Sequence, residues 1–278
     1  MILYPNAKIN IGLNILYKRE DGFHELETLM YPIQLTDILT INKSTNQNQK
    51  LKFTATGIQI DGDKEDNLIC KAYNLLDSIY KLPALDIHLH KSIPFGAGLG
   101  GGSADCAFAI SGINSLCQLN LPMQTMEEIA GELGSDCPFF IQNKPAIAKG
   151  RGELLEPFNV DLRPYNFVVV IPSIPINTKE AYRFVKPSLP AYNLRDSLLK
   201  GIDTWKNTIQ NNFEDSVFPQ YPEIQKIKET LYEKGALYAS LSGSGSAVFG
   251  IFKDVPNFET VFSKDYFISI DREIIRVE

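Results

Sequence analysis

Five of the seven residues from Gly96 to Gly102 are glycine, and an apolar-periodic segment starts directly after them. Such a run fits neither helix nor strand, because glycine loses the most backbone freedom on folding. One or two glycines suffice for an ordinary turn. A denser cluster implies a backbone that must approach something closely. The preceding segment, ALDIHLHKSI, alternates at period two, with Ile87 and Leu89 on one face and His88 and His90 on the other. The following one carries Cys106, Ala109, Ile110, Ile113, Leu116 and Cys117 at helical spacing. A strand, a glycine loop and a helix N-terminus together form an anion site, since the first-turn N–H groups are unpaired and the helix dipole favours negative charge. Ser103 is placed to cap that helix or to contact a phosphate or a metal. A tight loop between packed elements that binds nothing is the competing reading.

Two common phosphate motifs do not account for the run. Gly96 and Gly101 have Walker A spacing, but Gly102 stands where lysine belongs. Gly96, Gly98 and Gly101 match G-x-G-x-x-G formally. The acidic residue that should follow about 20 positions on is missing, and QLNLP is found there.

The remaining elements are expected as follows. AKINIGLNILY, LTDILTI and LKFTATGIQI read as strands, and NLICKAYNLLDSIYKL as a helix with a Leu68, Ala72, Leu75, Leu76, Ile79 stripe. MQTMEEIAGELG reads as a helix ending near Gly134, and AIAKGRGELLEPF as a strand pair. Beyond Pro157 come a strand (NFVVVIPS), helices TKEAYRFV and PEIQKIKETLYEKG, a strand–glycine loop–strand (ASLSGSGSAVFGIF), a helix in NFETVFSKDY and a strand in FISIDREII. Hairpins mixed with helices, with no regular βαβ alternation, favour α+β. Two domains are expected, 1–156 and 157–278.

Charge and cysteine usage narrow the function. With 27 Lys and Arg against 33 Asp and Glu, the net charge of −6 argues against a nucleic-acid partner. A few local cations and backbone N–H groups could still hold a small anion. No run of about 18 apolar residues suggests a membrane span. Cys70, Cys106, Cys117 and Cys137 form no C-x-x-C pair. They are expected as buried thiols of a cytoplasmic protein. The three histidines, His24, His88 and His90, make no zinc pattern.

PFGAGLGGGSADCAFAI, Pro94 to Ile110, resembles the phosphate-loop signature of the GHMP kinases. PNAKINIGLNILYKREDGFHELETLM, EDNLICKA, GSDCPFF and SLSGSGSAVFG resemble, in order and spacing, the family of 4-diphosphocytidyl-2-C-methyl-D-erythritol kinases. The resemblance implies a two-domain GHMP fold, with a ribosomal-protein-S5-like N-terminal domain and a ferredoxin-like C-terminal α/β sandwich. It implies ATP and Mg²⁺ as cofactors and a cytidine-diphosphate-linked methylerythritol as the small-molecule substrate, phosphorylated on its 2-hydroxyl. A monomer or homodimer is expected, without nucleic acid or membrane. Another GHMP enzyme, of mevalonate- or homoserine-kinase type, is the alternative. A nucleotide-binding protein without catalysis is a third, disfavoured because both Lys8 and Asp136 are present.

The resemblance also assigns roles. Pro94, Phe95, Gly96, Ala97, Gly98, Leu99, Gly100, Gly101, Gly102, Ser103 and Ala104 would hold the ATP phosphates, with Asn67 on the adenine side and Lys91 near the nucleotide. Asp136 would be the base; a turn or N-cap aspartate is the plainer, less favoured reading of the residue alone. Lys8, otherwise a solvated strand lysine, would lie beside Asp136 and the acceptor hydroxyl, where an ammonium stabilises developing charge. Asn10 would bind substrate, Phe23 and Tyr182 would sandwich the cytosine, and His24 would read its edge; ordinary core aromatics are the plain alternative. Gly243 and Gly245 would approach the phosphates, though a plain turn explains them as well. The metal ligands are not assigned by the sequence. Phe23, Met30 and Tyr182 depart from what many relatives carry at those places.

Overall fold

A computed structural model describes residues 1–46, 48–60, 62–270 and 273–275. Its contacts divide the chain into two compact units interleaved in sequence. The first holds Met1–Ala7, Thr36–Phe95 and Gly100–Lys144; the second holds Lys8–Leu35, Gly96–Leu99 and Pro145–Glu278. The strand Asn6–Lys18 and the glycine run therefore each contribute to both units.

The strands in chain order are β1 (Ile2–Leu3), β2 (Asn6–Lys18), β3 (His24–Thr36), β4 (Ile38–Lys43), β5 (Leu51–Gly57) and β6 (Leu85–Lys91). They continue as β7 (Ala146–Gly150), β8 (Leu154–Pro157), β9 (Asn166–Ile171), β10 (Tyr238–Leu241), β11 (Val248–Phe252), β12 (Phe267–Ile270) and β13 (Glu273–Ile275).

In the first unit the sheet order is β1-β4-β6-β5, with β5 parallel to β6 at the edge. Helices α1 (Leu68–Tyr80), α2 (Gly101–Cys117), α3 (Met123–Leu133) and α4 (Cys137–Gln142) belong to the same unit. Apolar side chains of β4 and β6 (Leu39, Ile41, Ile87, Leu89) pack with Ile69, Tyr73 and Leu76 of α1 and Cys106, Ile110 and Ile113 of α2. The α2 stripe is the expected one. On α1 it is rotated: Ile69 and Tyr73 are buried while Ile79 is 54% exposed. The Tyr73 hydroxyl reaches the carbonyls of Lys50 and Pro83, so its polar tip is satisfied inside. Cys70, Cys106 and Cys137 are buried free thiols, as expected, and Cys117 is half-buried.

The second unit holds two sheets, β2-β3-β7-β8 and β10-β11-β9-β12-β13. Its short helices are α5 (Thr178–Phe184), α6 (Leu194–Leu199), α7 (Trp205–Thr208) and α8 (Glu214–Val217), and α9 (Pro222–Glu233) is its long one. Val168 and Val170 of β9 pack with Ile224, Ile227 and Leu231 of α9, and Leu13 and Ile15 of β2 join that core.

Three local expectations are corrected. Strand β5 stops at Gly57 and does not run on to Ile60: its φ is +82° and a Cβ there would lie 2.2 Å from the Lys91 carbonyl oxygen. NFETVFSKDY forms turns and not a helix. Asn257 accepts from the Glu259 N–H, and Phe258 is fully buried, stacking with Phe262. FISIDREII is two strands: β12 and β13 pair antiparallel, Ile270 opposite Glu273.

Candidate active site

In the second unit β2 carries three buried polar side chains, Lys8, Asn10 and Asn14, and the first two meet the glycine run. Lys8 is 4% exposed and Asn10 is 2% exposed, although strand patterning alone makes both solvent-facing. Lys8 Nζ donates to Asn10 Oδ1 at 2.6 Å and to the Gly98 carbonyl at 3.2 Å. Asn10 Nδ2 donates to Thr28 Oγ1. The Lys8 backbone N–H donates to the Leu99 carbonyl. An ammonium held this way is desolvated and aimed by neutral oxygens.

Gly96–Leu99 also docks on the turn that joins β10 to β11. Ser242 Oγ donates to the Gly98 carbonyl at 2.9 Å and accepts the Asn10 N–H at 3.3 Å. The Ala247 N–H donates to the Ala97 carbonyl. At Gly98, φ is +79° and a Cβ would stand 2.0 Å from the Ser242 carbonyl oxygen. Gly243, at φ +56°, would meet the Gly98 Cα at 3.3 Å. These glycines are bare because two backbones cross. Asn211 secures the turn by donating to the Leu241 and Gly243 carbonyls.

The rest of the run belongs to the first unit. Gly100, at φ +70°, is the N-cap of α2 and supplies no side-chain cap, and no acidic residue lies in the first turn. The N–H groups at this end of a 17-residue helix therefore have no side-chain carboxylate competing for them. Gly102 meets nothing within 4 Å, whereas a Cβ at Gly101 would come within 2.9 Å of Ile93 and 3.0 Å of Lys91 Nζ. A cavity of about 600 Å³ adjoins this end, lined by residues of β5, by Asp63, Lys64 and Asp66, and by Asn67, Phe95, Gly102 and Asp105. Asn67 caps α1 by accepting the Ile69 N–H at 2.9 Å, so the capping role is real and the residue also faces the cavity. The neighbouring Cys106 thiol, and after it Ser103, lower the Cys137 pKa against the effect of its burial.

Lys91 lies under the loop. It continues the buried Ile87–Leu89 face of β6, and its ammonium is taken up by Asp37 and Asp105. Asp136 stands at the N-cap of α4 but makes no side-chain cap, so its carboxylate is not spent on that helix.

At the start of β3, His24 stacks on Tyr182 with centroids 5.2 Å apart, and Tyr182 meets the Phe213 ring edge-on. Burial, helped by Lys18, lowers the His24 pKa. Its imidazole is therefore neutral at pH 7, with one donor and one acceptor nitrogen. Phe23 is 53% exposed and carries the Arg151 guanidinium 5.0 Å from its ring centroid.

Patterning missed Ser242, Thr28, Asp37 and Asp105. Two of them left a signal: Ser242 sits within SLSGSG, and Asp105 puts a charge beside the apolar stripe of α2.

The family model for the GHMP kinases N terminal domain matches residues 67–144, and that for GHMP kinases C terminal matches 194–264. The chain is 49% identical, over 91% of its length and 92% of the relative's, to the 4-diphosphocytidyl-2-C-methyl-D-erythritol kinase of Bacteroides fragilis. It belongs to the 4-diphosphocytidyl-2-C-methyl-D-erythritol kinase family of GHMP kinases. A crystal structure of a 4-(cytidine 5'-diphospho)-2C-methyl-D-erythritol kinase aligns with TM-score 0.79 and 31% identity, covering 90% of both chains. A homoserine kinase structure from Cytophaga hutchinsonii, at TM-score 0.64 and 14% identity over 98% of this chain and 96% of its own, shares the fold alone. Membership of this kinase family makes the chain an ATP-dependent phosphotransferase with a small-molecule acceptor and the two-domain GHMP fold. Among the described residues, no helix is long and apolar enough to cross a membrane.

Proposed function

We propose that this chain transfers the γ-phosphoryl group of ATP to the 2-hydroxyl of 4-diphosphocytidyl-2-C-methyl-D-erythritol, in the methylerythritol phosphate route to isopentenyl diphosphate. The observation that carries this reading is the near-full-length likeness to a relative of that name. The mevalonate- and homoserine-kinase alternative has only a shared fold in its favour.

Phosphoryl transfer is mostly positioning and charge stabilisation. Pro94–Ala104 takes the triphosphate, with the first-turn N–H groups of α2 on the phosphate oxygens and the adenosine in the cavity that Asn67 and Phe95 line. Asp136 accepts the acceptor hydroxyl's proton. Lys8, already aimed by Asn10 and the Gly98 carbonyl, stabilises charge on that oxygen as it attacks. Asn10 contacts the substrate. Tyr182 and Phe23 supply ring faces for the cytosine, and neutral His24 pairs with its edge. Lys91 serves the nucleotide from behind the loop. Mg²⁺, bound together with ATP, would supply neutralisation of the triphosphate charge. Among the described residues no group of three or more His, Cys, Asp or Glu could hold a metal ion. The family domains are 1–156 and 157–278, a cut that falls between the two family matches. The protein acts in the cytoplasm as a monomer or homodimer, without nucleic acid or membrane.

ADP release with a panel of acceptors tests the reading. The cytidine substrate should support turnover, and mevalonate and homoserine should not. Turnover with either of those at a comparable rate would overturn it.

A further inference from the structure

Lys91, Asp37 and Asp105 form a buried cluster in the first unit that joins three segments. Lys91 ends β6, Asp37 sits where β3 passes into β4, and Asp105 lies in the first turns of α2. The side chains of Lys91 and Asp37 are 0% exposed and that of Asp105 is 4% exposed. Lys91 Nζ donates to Asp37 Oδ2 and, at 2.8 Å, to Asp105 Oδ2. Asp37 Oδ1 accepts the N–H groups of Ser92, at 2.6 Å, and Ile93, at 2.9 Å. The cluster thus holds the strand side of the glycine loop through Asp37 and its helix side through Asp105.

Two further observations tie it to the nucleotide. The ammonium lies directly beneath the loop, because a Cβ at Gly101 would stand 3.0 Å from Lys91 Nζ. Asp105 also lines the cavity beside Gly102, and its Oδ1 is buried with no hydrogen-bond partner among the described residues. Buried carboxylate oxygens are normally satisfied. One left open beside an anion-binding helix end is costly when ionised and costs less when it carries a proton.

We propose that Asp37, Lys91 and Asp105 are positioning residues for the ATP loop, and that Asp105 takes up a proton when the triphosphate binds. This rests on the reading of Pro94–Ala104 as the ATP loop. The charge count supports it. Two carboxylates against one ammonium leave the cluster negative, which opposes an arriving triphosphate; one proton on Asp105 makes it neutral. Burial, and next to it the charge of Asp37, push the Asp105 pKa up to about 7 against the pull of Lys91, so the proton is available near neutral pH. The other titratable groups facing this region are the Cys106 thiol on α2 and, around the cavity, Asp63, Lys64 and Asp66.

The sign follows. Bound phosphate raises the Asp105 pKa further, so ATP binds better with the proton on, and KM for ATP rises between pH 6 and pH 8. A shift of one pKa unit on binding, from about 7 to about 8, gives a rise of about fivefold across this window, approaching tenfold only at higher pH. Asp105→Asn keeps an oxygen for Lys91 and puts an uncharged amide at the open position. In that variant the Asp105 part of the rise should vanish, leaving only the titration of ATP itself, while KM for the cytidine substrate keeps its wild-type pH profile. Identical pH dependence of KM for ATP in wild type and Asp105→Asn overturns the proposal. Should the variant fail to fold, calorimetry of a non-hydrolysable ATP analogue binding to the wild-type protein at pH 7 decides, in two buffers of different ionisation enthalpy. Net proton uptake supports the proposal and none overturns it. An inactive wild type, or one whose activity needs no ATP, would instead refute the kinase reading beneath it.

Discussion

Gly98 and Gly102 stand four positions apart in one loop, and opposite results are expected from filling them. At Gly98, φ +79° costs an L-residue about 1–2 kcal/mol. The new Cβ would lie 2.0 Å from the Ser242 carbonyl oxygen, where ordinary contact begins at 3.4 Å, so backbone must move. That movement loosens the Gly98 carbonyl from Ser242 Oγ and Lys8 Nζ. One neutral and one charge-assisted hydrogen bond together are worth about 2–4 kcal/mol. Gly98→Ala should therefore cost about 3–6 kcal/mol, a large share of the roughly 5–15 kcal/mol that keeps a domain folded. At Gly102 the φ is ordinary, the position is helical and a Cβ would meet no atom of another segment within 4 Å among the described residues. Gly102→Val should leave stability within about 1 kcal/mol, since most residues are better helix formers than glycine. Its side chain, however, enters the space assigned to the phosphates. Melting temperature is measured beside KM for ATP and KM for the cytidine substrate. Gly98→Ala should melt about 10 °C lower. Gly102→Val should melt with wild type and show KM for ATP raised about tenfold or more, with the other KM unmoved. A folded Gly102→Val with KM for ATP within about twofold of wild type refutes the assignment of phosphate to the α2 N-terminus.

Asp136→Asn should lower kcat by about 10²–10⁴-fold, the usual value of general-base help, while the substrate still binds as measured by calorimetry; retention of more than about a tenth of kcat excludes it as the base. Tyr182→Phe should change little, and Tyr182→Ala should raise KM for the cytidine substrate about tenfold with KM for ATP unchanged. Because Tyr182 also packs on Phe213, the Ala variant will melt lower; a lower melting temperature with unchanged KM would make it a core residue only.

How far the sequence was legible depended on how local the cause was. The glycine run, the α2 stripe and the β7–β8 pair follow from short-range patterning, and all appear in the fold. Lys91 was named only by resemblance, as a lysine near the nucleotide; its place on the buried Ile87–Leu89 face and its partners Asp37 and Asp105 appear only in the fold. The burial of Lys8 and Asn10 depends on Ser242 and the Gly98 carbonyl, far away in sequence, so period-two reasoning put both in solvent. Gly98 has a further reason to be bare, the Ser242 backbone against it, which is visible only once the two segments meet. The turns at 257–266 failed for a related cause: the phenylalanines Phe258 and Phe262 have helical spacing but stack on each other within a turn.

The central claim is the position of the transferred phosphoryl group. Incubating the protein with ATP, Mg²⁺ and 4-diphosphocytidyl-2-C-methyl-D-erythritol and recording phosphorus and carbon NMR of the product tests it directly. A new phosphomonoester resonance coupled to the carbon of the 2-hydroxyl, formed in step with ADP, is the predicted result. ADP without a new organic phosphate, or a phosphate on any other hydroxyl, would contradict it.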